Sequence, residues 1–221
     1  MTAHPNRSTA PTLSLLAAAL LASLSATGAA HAAPAGQAIT LDAVNVTAAD
    51  ATEAARRALD RVPGAGNVVD MTQVGQGRVA GTADVLAYQP GISAQSAGNE
   101  GVKVSIRGSG LNRAPGAHAS GLSVSLDGLP LTGPGGTPYE LLEPLWLSRV
   151  EVLRGANGFE RGALALGGAV NYITRSGRDT PGLELHYEAG ARGYQKRGIS
   201  LGGVRDAVDY FLAYTDTEYD G

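Results

Sequence analysis

The sequence contains no cysteine, which excludes disulfides, thiolate metal sites and a cysteine nucleophile. Large aromatics are scarce, with two Phe and one Trp, and charge of either sign is not in excess. Lys and Arg number 17 against 20 Asp and Glu, for a net charge of -3. That balance gives no global reason to expect a nucleic-acid partner. The four histidines are scattered, so no clustered metal-ligand set exists, and neither Ser109 nor Ser120 has the Gly-x-Ser-x-Gly setting of an esterase nucleophile. An enzyme is therefore not expected. Long hydrophobic runs are missing beyond the amino-terminal stretch, so no later segment reads as a transmembrane helix of ~20 apolar residues. A β-barrel stays open, because its strands only alternate.

What is abundant is glycine, at 31 residues, roughly double the usual share. No Gly-X-Y period accompanies it, so tight turns and close backbone approach are the expected use. Residues 1–32 read as a signal peptide: Arg7 is the basic end, Leu13–Leu24 the apolar core, and Ala30-His31-Ala32 a small-x-small cleavage site. After a small-residue spacer, Ile39-Thr40-Leu41-Asp42-Ala43-Val44-Asn45-Val46 is β-prone and isolated. It suits an ordinary first strand, or a segment added to the edge of another protein's sheet.

Thr52–Leu59 and Thr82–Tyr88 are helix candidates, each with a threonine able to cap it and a Pro-Gly stop beyond. Val102, Val104 and Ile106 alternate with polar residues, as do Leu122, Val124 and Leu126. Both patterns predict half-buried strands, the second ending at an Asp127-Gly128 turn. Val150–Leu153 and Gly167–Thr174 predict two more, and residues 129–138 are too rich in proline and glycine to be regular. From Pro181 the texture changes to longer alternating strands with leucine and tyrosine on one face. That face suits lipid with water on the other side, or the inside of a soluble secreted β-rich domain. Three such strands cannot close a barrel, and plugged barrels have about 22, so on the membrane reading the sequence is a fragment or a truncated product.

Four motifs in order carry a resemblance. These are Ala83-Asp84-Val85-Leu86 with Pro90-Gly91, then Val104-Ser105-Ile106-Arg107-Gly108, then Leu126-Asp127-Gly128-Leu129-Pro130. The fourth runs from Val150-Glu151-Val152-Leu153-Arg154-Gly155 to Gly167-Gly168-Ala169-Val170-Asn171-Tyr172-Ile173-Thr174. Together they resemble the TonB-dependent outer-membrane receptors, in particular the ferric-siderophore and ferric-citrate type. One departure is Phe159-Glu160-Arg161-Gly162, where many members have Tyr-Gly.

The resemblance implies an α+β plug domain followed by the first antiparallel strands of a truncated transmembrane β-barrel. Its implied divisions are signal peptide 1–32, periplasmic linker 33–50 with a TonB box at 38–46, plug 51–180, and barrel strands 181–221. It implies that Ile39, Thr40, Leu41, Val44 and Val46 contact TonB of the inner-membrane TonB-ExbB-ExbD complex. Arg107 and Arg154, which otherwise read as solvated charges at strand ends, would seat the plug on glutamates of the barrel wall. Asn99, Glu100, Asn112, Arg113 and His118 become ligand-facing candidates on loops. Gly108, Gly128, Gly155, Gly167 and Gly168 become structural glycines. No cofactor or metal is bound by the protein itself, and iron arrives as a ferric siderophore or ferric citrate complex. The partners are TonB and outer-membrane lipid, with no nucleic acid, and the location is the cell outer membrane. A non-transporting fragment of such a receptor remains the alternative.

Overall fold

The computed structural model describes residues 48–64, 66–75, 79–96, 101–109, 121–131, 136–155, 158 and 165–220. The chain divides into two units, Met1–Val44 and Asn45–Gly221. The first, with the signal peptide and most of the TonB-box expectation, lies outside the described residues, as does Val46.

Helix α1 spans Ala48–Asp60. It begins ahead of the expected Thr52, because Ala48, Ala49 and Ala51 are strong helix formers and Asp50 favours the first turn. Thr52 is therefore inside the helix and buried rather than a cap. Strand β1 (Gly66–Asp70) leads into a one-turn helix α2 (Met71–Val74), which Asp70 caps by accepting from Thr72 N at 2.9 Å. Helix α3 (Thr82–Leu86) starts one residue beyond its Gly81 cap. Asp84 Oδ2 accepts from the Ala80 and Gly81 amides at 2.9 and 3.2 Å. Thr82, expected as the cap, instead donates its hydroxyl to the Leu142 carbonyl at 3.1 Å.

The hairpin β2 (Ile92–Ser96) and β3 (Val102–Ile106) follows, then β4 (Leu122–Leu126) and a two-residue β5 (Leu129–Pro130). Two short 3-10 turns at Tyr139–Leu141 and Pro144–Trp146 lead to β6 (Leu147–Arg154) and β7 (Gly168–Thr174). Five strands form one sheet in the order β1-β6-β7-β4-β5. All its pairs are antiparallel except β4 with β7, which run parallel. Strand β7 is central and buried on both faces from Gly168 to Tyr172, which explains its short apolar run without alternation. Val85, Leu86 and Ile92 pack with Ile106, Val124, Val150, Val152 and Val170 in one core cluster.

Asp127 and Gly128 turn β4 into β5, both with positive φ, at 49° and 80°. This is the two-residue turn whose twist matches flanking strands. Asp127 also accepts from the Thr174 amide and hydroxyl, both at 2.9 Å, tying the turn to the end of β7. Residues 129–130, expected to be irregular, pair with β4 as a result.

Beyond Thr174 lie β8 (Gly182–Ala189), β9 (Gln195–Arg205) and β10 (Val208–Glu218). They form an antiparallel meander that is unclosed among the described residues. Register puts Leu183, Leu201 and Leu212 in one row and Leu185, Ile199 and Tyr214 in the next. Both rows face outward, with Leu185 75% and Tyr214 64% exposed. The opposite face carries Glu184, His186, Lys196 and Thr215, and there Lys196 is 0% exposed. Apolar outside and polar inside suits a wall in lipid and inverts what a soluble sheet does. No helix among the described residues is long and apolar enough to cross a membrane.

Candidate functional site

Two places bring charged side chains from distant segments together. The first lies at the ends of β3 and β6. Arg107 follows β3 with a positive φ of 50° and donates from Nη2 to the Gly64 carbonyl at 3.2 Å. Its guanidinium lies over Gly155, where an added Cβ would sit 3.3 Å from Nη1. Arg154, the last residue of β6, is buried and donates to Asn67 Oδ1. Asn67 in turn donates to Gln89 Oε1 at 2.7 Å. Burial, and after it the Arg107 charge, hold the Arg154 guanidinium below the usual arginine range. Two like charges are thus brought close together. Arg107 is exposed, and no carboxylate among the described residues forms an ion pair with it.

The second place joins the five-stranded sheet to the meander. Lys196 Nζ on β9 lies 2.7 Å from Glu143 Oε1, just before the second 3-10 turn. Arg175 Nη1 lies 2.7 Å from Glu184 Oε2 on β8. Arg178 Nε stands 3.5 Å from Asp209 Oδ2 on β10. Gly177 fits directly against the Gly203 and Tyr210 carbonyls, with its amide donating to Asp209 Oδ1 at 2.6 Å, so no side chain is tolerated there. Sequence reasoning missed Lys196, Glu143, Arg175 and Gly177. None sits in a motif, and Lys196 is only one polar position in an alternating strand.

A third arrangement is internal. Asn171 Oδ1 accepts from the Ser125 hydroxyl at 2.8 Å and the Gly128 amide at 3.0 Å. Its Nδ2 donates to Glu151 Oε2 at 3.2 Å, and Glu151 Oε1 pairs with Arg149 Nε at 3.1 Å. One amide thereby links β4, β6, β7 and the Asp127-Gly128 turn. This gives the Val-Asn and Asp-Gly motifs a physical reason to occur together.

Of the other expected site residues, Gly108, Gly155 and Gly168 all have positive φ. Gly167 packs on the Ser109 side chain. Ile39, Thr40, Leu41, Val44 and Val46 lie outside the described residues, and so do Asn99, Glu100, Asn112, Arg113 and His118. Among the described residues no group of three or more His, Asp or Glu is placed to hold a metal.

Comparison with known proteins agrees with this architecture. Residues 58–169 match the family described as TonB-dependent Receptor Plug Domain. The heme transporter BhuA of Brucella suis biovar 1 (strain 1330) is 28% identical over 158 residues, which is 66% of this chain and 22% of that protein. The siderophore receptor PiuA from Acinetobacter baumannii superposes with a TM-score of 0.54 at 22% identity, over 70% of this chain and 21% of that one. The ferric-catecholate import receptor Fiu from E. coli K12, in its open form, gives 0.53 at 17% identity, over 70% and 21%. At such identities the two structures establish the fold alone. The chain spans about a fifth of the length of each of these three proteins.

Proposed function

The chain belongs to the TonB-dependent receptor family of the outer membrane, a family of transport proteins rather than enzymes, and on that premise we propose that it gates uptake of a ferric siderophore or ferric citrate complex. The observation that carries this is the pairing of a glycine-bent five-stranded domain with a sheet whose apolar face points away from it. A stopper inside a wall needs that polarity.

On this reading residues 51–180 are the plug, residues 33–50 the periplasmic linker, and residues 181–221 the start of the wall. Ile39, Thr40, Leu41, Val44 and Val46 add as a strand to TonB of the TonB-ExbB-ExbD complex, so that backbone hydrogen bonds carry the pull. Arg107 and Arg154 seat the plug on carboxylates of the barrel wall. The closeness of the two guanidiniums supports this, since burial, and after it the Arg107 charge, disfavour the charged form of Arg154, and a carboxylate counters both. Asn99, Glu100, Asn112, Arg113 and His118 face the incoming chelate, with Arg113 suited to an anionic one. Iron is cargo, already held by its chelator. A second reading, heme as cargo, is favoured by the similarity to a heme transporter.

The test is uptake of labelled ferric citrate, ferric siderophores and heme by a receptor-deleted host carrying the complete gene. Leu41→Pro removes a strand amide from the coupling segment. It is expected to abolish uptake and leave surface binding intact. Undiminished uptake by Leu41→Pro removes the coupling role from this segment, and failure to bind any of the three ligands removes the iron-chelate reading.

A further inference from the structure

The face of the meander turned toward the plug carries one lysine that solvent does not reach. Lys196 on β9 stands opposite Glu188 on β8 and Thr217 on β10. A buried ammonium is costly unless it is both paired and hydrogen-bonded. Lys196 is paired through Glu143 Oε1 at 2.7 Å. It also donates to the Val79 and Ala80 carbonyls at 3.5 and 3.4 Å. Its cross-strand neighbour Glu188 is engaged elsewhere, by His186 Nε2 at 2.9 Å and the Tyr194 hydroxyl at 3.1 Å. The cation thus comes from the wall, and its three oxygens come from two separate segments of the plug.

The plug segment that receives it is held by other means as well. Glu143 Oε1 accepts from the Leu145 amide at 3.1 Å, which orients the carboxylate. The Arg175 amide donates to the Trp146 carbonyl at 2.8 Å. Arg175 Nη1 bridges the Leu145 carbonyl, at 3.5 Å, and Glu184 of β8. Thr82 binds the Leu142 carbonyl from the other side.

We propose that Lys196 and Glu143 form a permanent tether between wall and plug, so that residues 142–146 keep their place while other parts of the plug rearrange. This inference rests on the receptor reading given above. Permanence follows from burial: opening the pair leaves an ammonium that solvent does not reach without its carboxylate, which is itself only 16% exposed. Arg107, by contrast, is exposed and can part from an anion into water. The two carbonyls also make the tether directional. Only a donor at position 196 satisfies them, so exchanging the two charges does not restore it.

Glu143→Cys with Lys196→Cys places a thiol pair in a sequence free of cysteine, tested in the complete receptor with any cysteine outside this sequence replaced by serine, and joined by a short, cleavable bifunctional reagent. The expected result is efficient joining and unchanged uptake. Lys196→Met, which removes the charge at similar volume, is expected to speed protease cleavage of the plug in membranes by about tenfold or more. Lys196→Arg should stay near wild type, and Lys196→Glu with Glu143→Lys should not recover. A joined receptor that binds ligand but imports none until the reagent is cleaved makes the contact a gate and overturns the proposal. So does a thiol pair that cannot be joined, or a Lys196→Met plug with unaltered protease resistance. Joining and proteolysis are read without transport. A receptor that imports nothing in its wild-type form therefore counts against the uptake reading alone.

Discussion

Among the described residues Tyr172, on the central strand β7, is the largest fully buried side chain. Its hydroxyl meets no hydrogen-bond partner among the described residues. Burial, and after it Tyr139, pushes its phenol well above the ordinary range, and burial alone does the same for Tyr139. In the unfolded chain both ionise near pH ~10. A folded value above the unfolded one means the stabilisation is complete below about pH 10 and lost as pH rises beyond it. The thermal midpoint is therefore expected to fall between about pH 10 and pH 12. Tyr172→Phe should flatten that fall. At neutral pH it should be neutral or stabilising by about 1 kcal/mol, because an unpaired hydroxyl is removed. A loss of about 2 kcal/mol at neutral pH would reveal a partner for the hydroxyl. Asn171 illustrates what the sequence conveys at this scale. Its place in a motif was legible, but its three partners come from Ser125, Gly128 and Glu151, which no one-dimensional pattern brings together.

Glycines in similar settings have different reasons to be there. Gly128 in the β4–β5 turn has φ 80°, and an added Cβ would meet nothing within 4 Å. Gly168 opens β7 with φ 144°, and its Cβ would lie 2.5 Å from the Leu153 carbonyl and 2.9 Å from Ile106 Cδ1. Gly128→Ala should cost about 1 kcal/mol, the backbone strain alone. Gly168→Ala adds a collision with β6 and should cost roughly 3 kcal/mol or more. Denaturant unfolding of the chain measures both, and equal losses would refute the distinction. Strands were legible where apolar and polar residues alternate, as in β3 and β4, although Ser105 and Ser125 on their polar faces are buried as well. Strand β2 was not, because Ile92 is its one buried residue and in Ile-Ser-Ala-Gln-Ser the small Ala94 is all that continues the apolar alternation. Helix caps were misjudged where threonine serves another purpose: Thr52 is buried in α1, and Thr82, although it does begin α3, holds the Leu142 carbonyl.

At the scale of the molecule, the alternating pattern of residues 183–214 suits both a lipid-facing wall and a soluble sandwich, with only the signal peptide and the absence of cysteine tilting toward the wall. Orientation separates them. Leu183, Leu185, Leu212 and Tyr214 point away from the protein, while Lys196 points into it. The joint itself was invisible in the sequence, since Glu143 precedes a 3-10 turn, Lys196 lies far along the chain on β9, and neither is in a motif.

The parallel pairing of β4 with β7 bears on the order of assembly. Ser125 and Asn171, which meet across it, are 46 positions apart, whereas β8, β9 and β10 each pair with the strand next in sequence. Closing a long loop before any contact rewards it is slow, so non-local pairings form late. In detergent or lipid, the local hairpins should gain protection from hydrogen exchange before Val124 and Val170 do, with simultaneous protection arguing against it. The bore then begins to take shape while its obstruction is still unfinished, and the obstruction must mature in place.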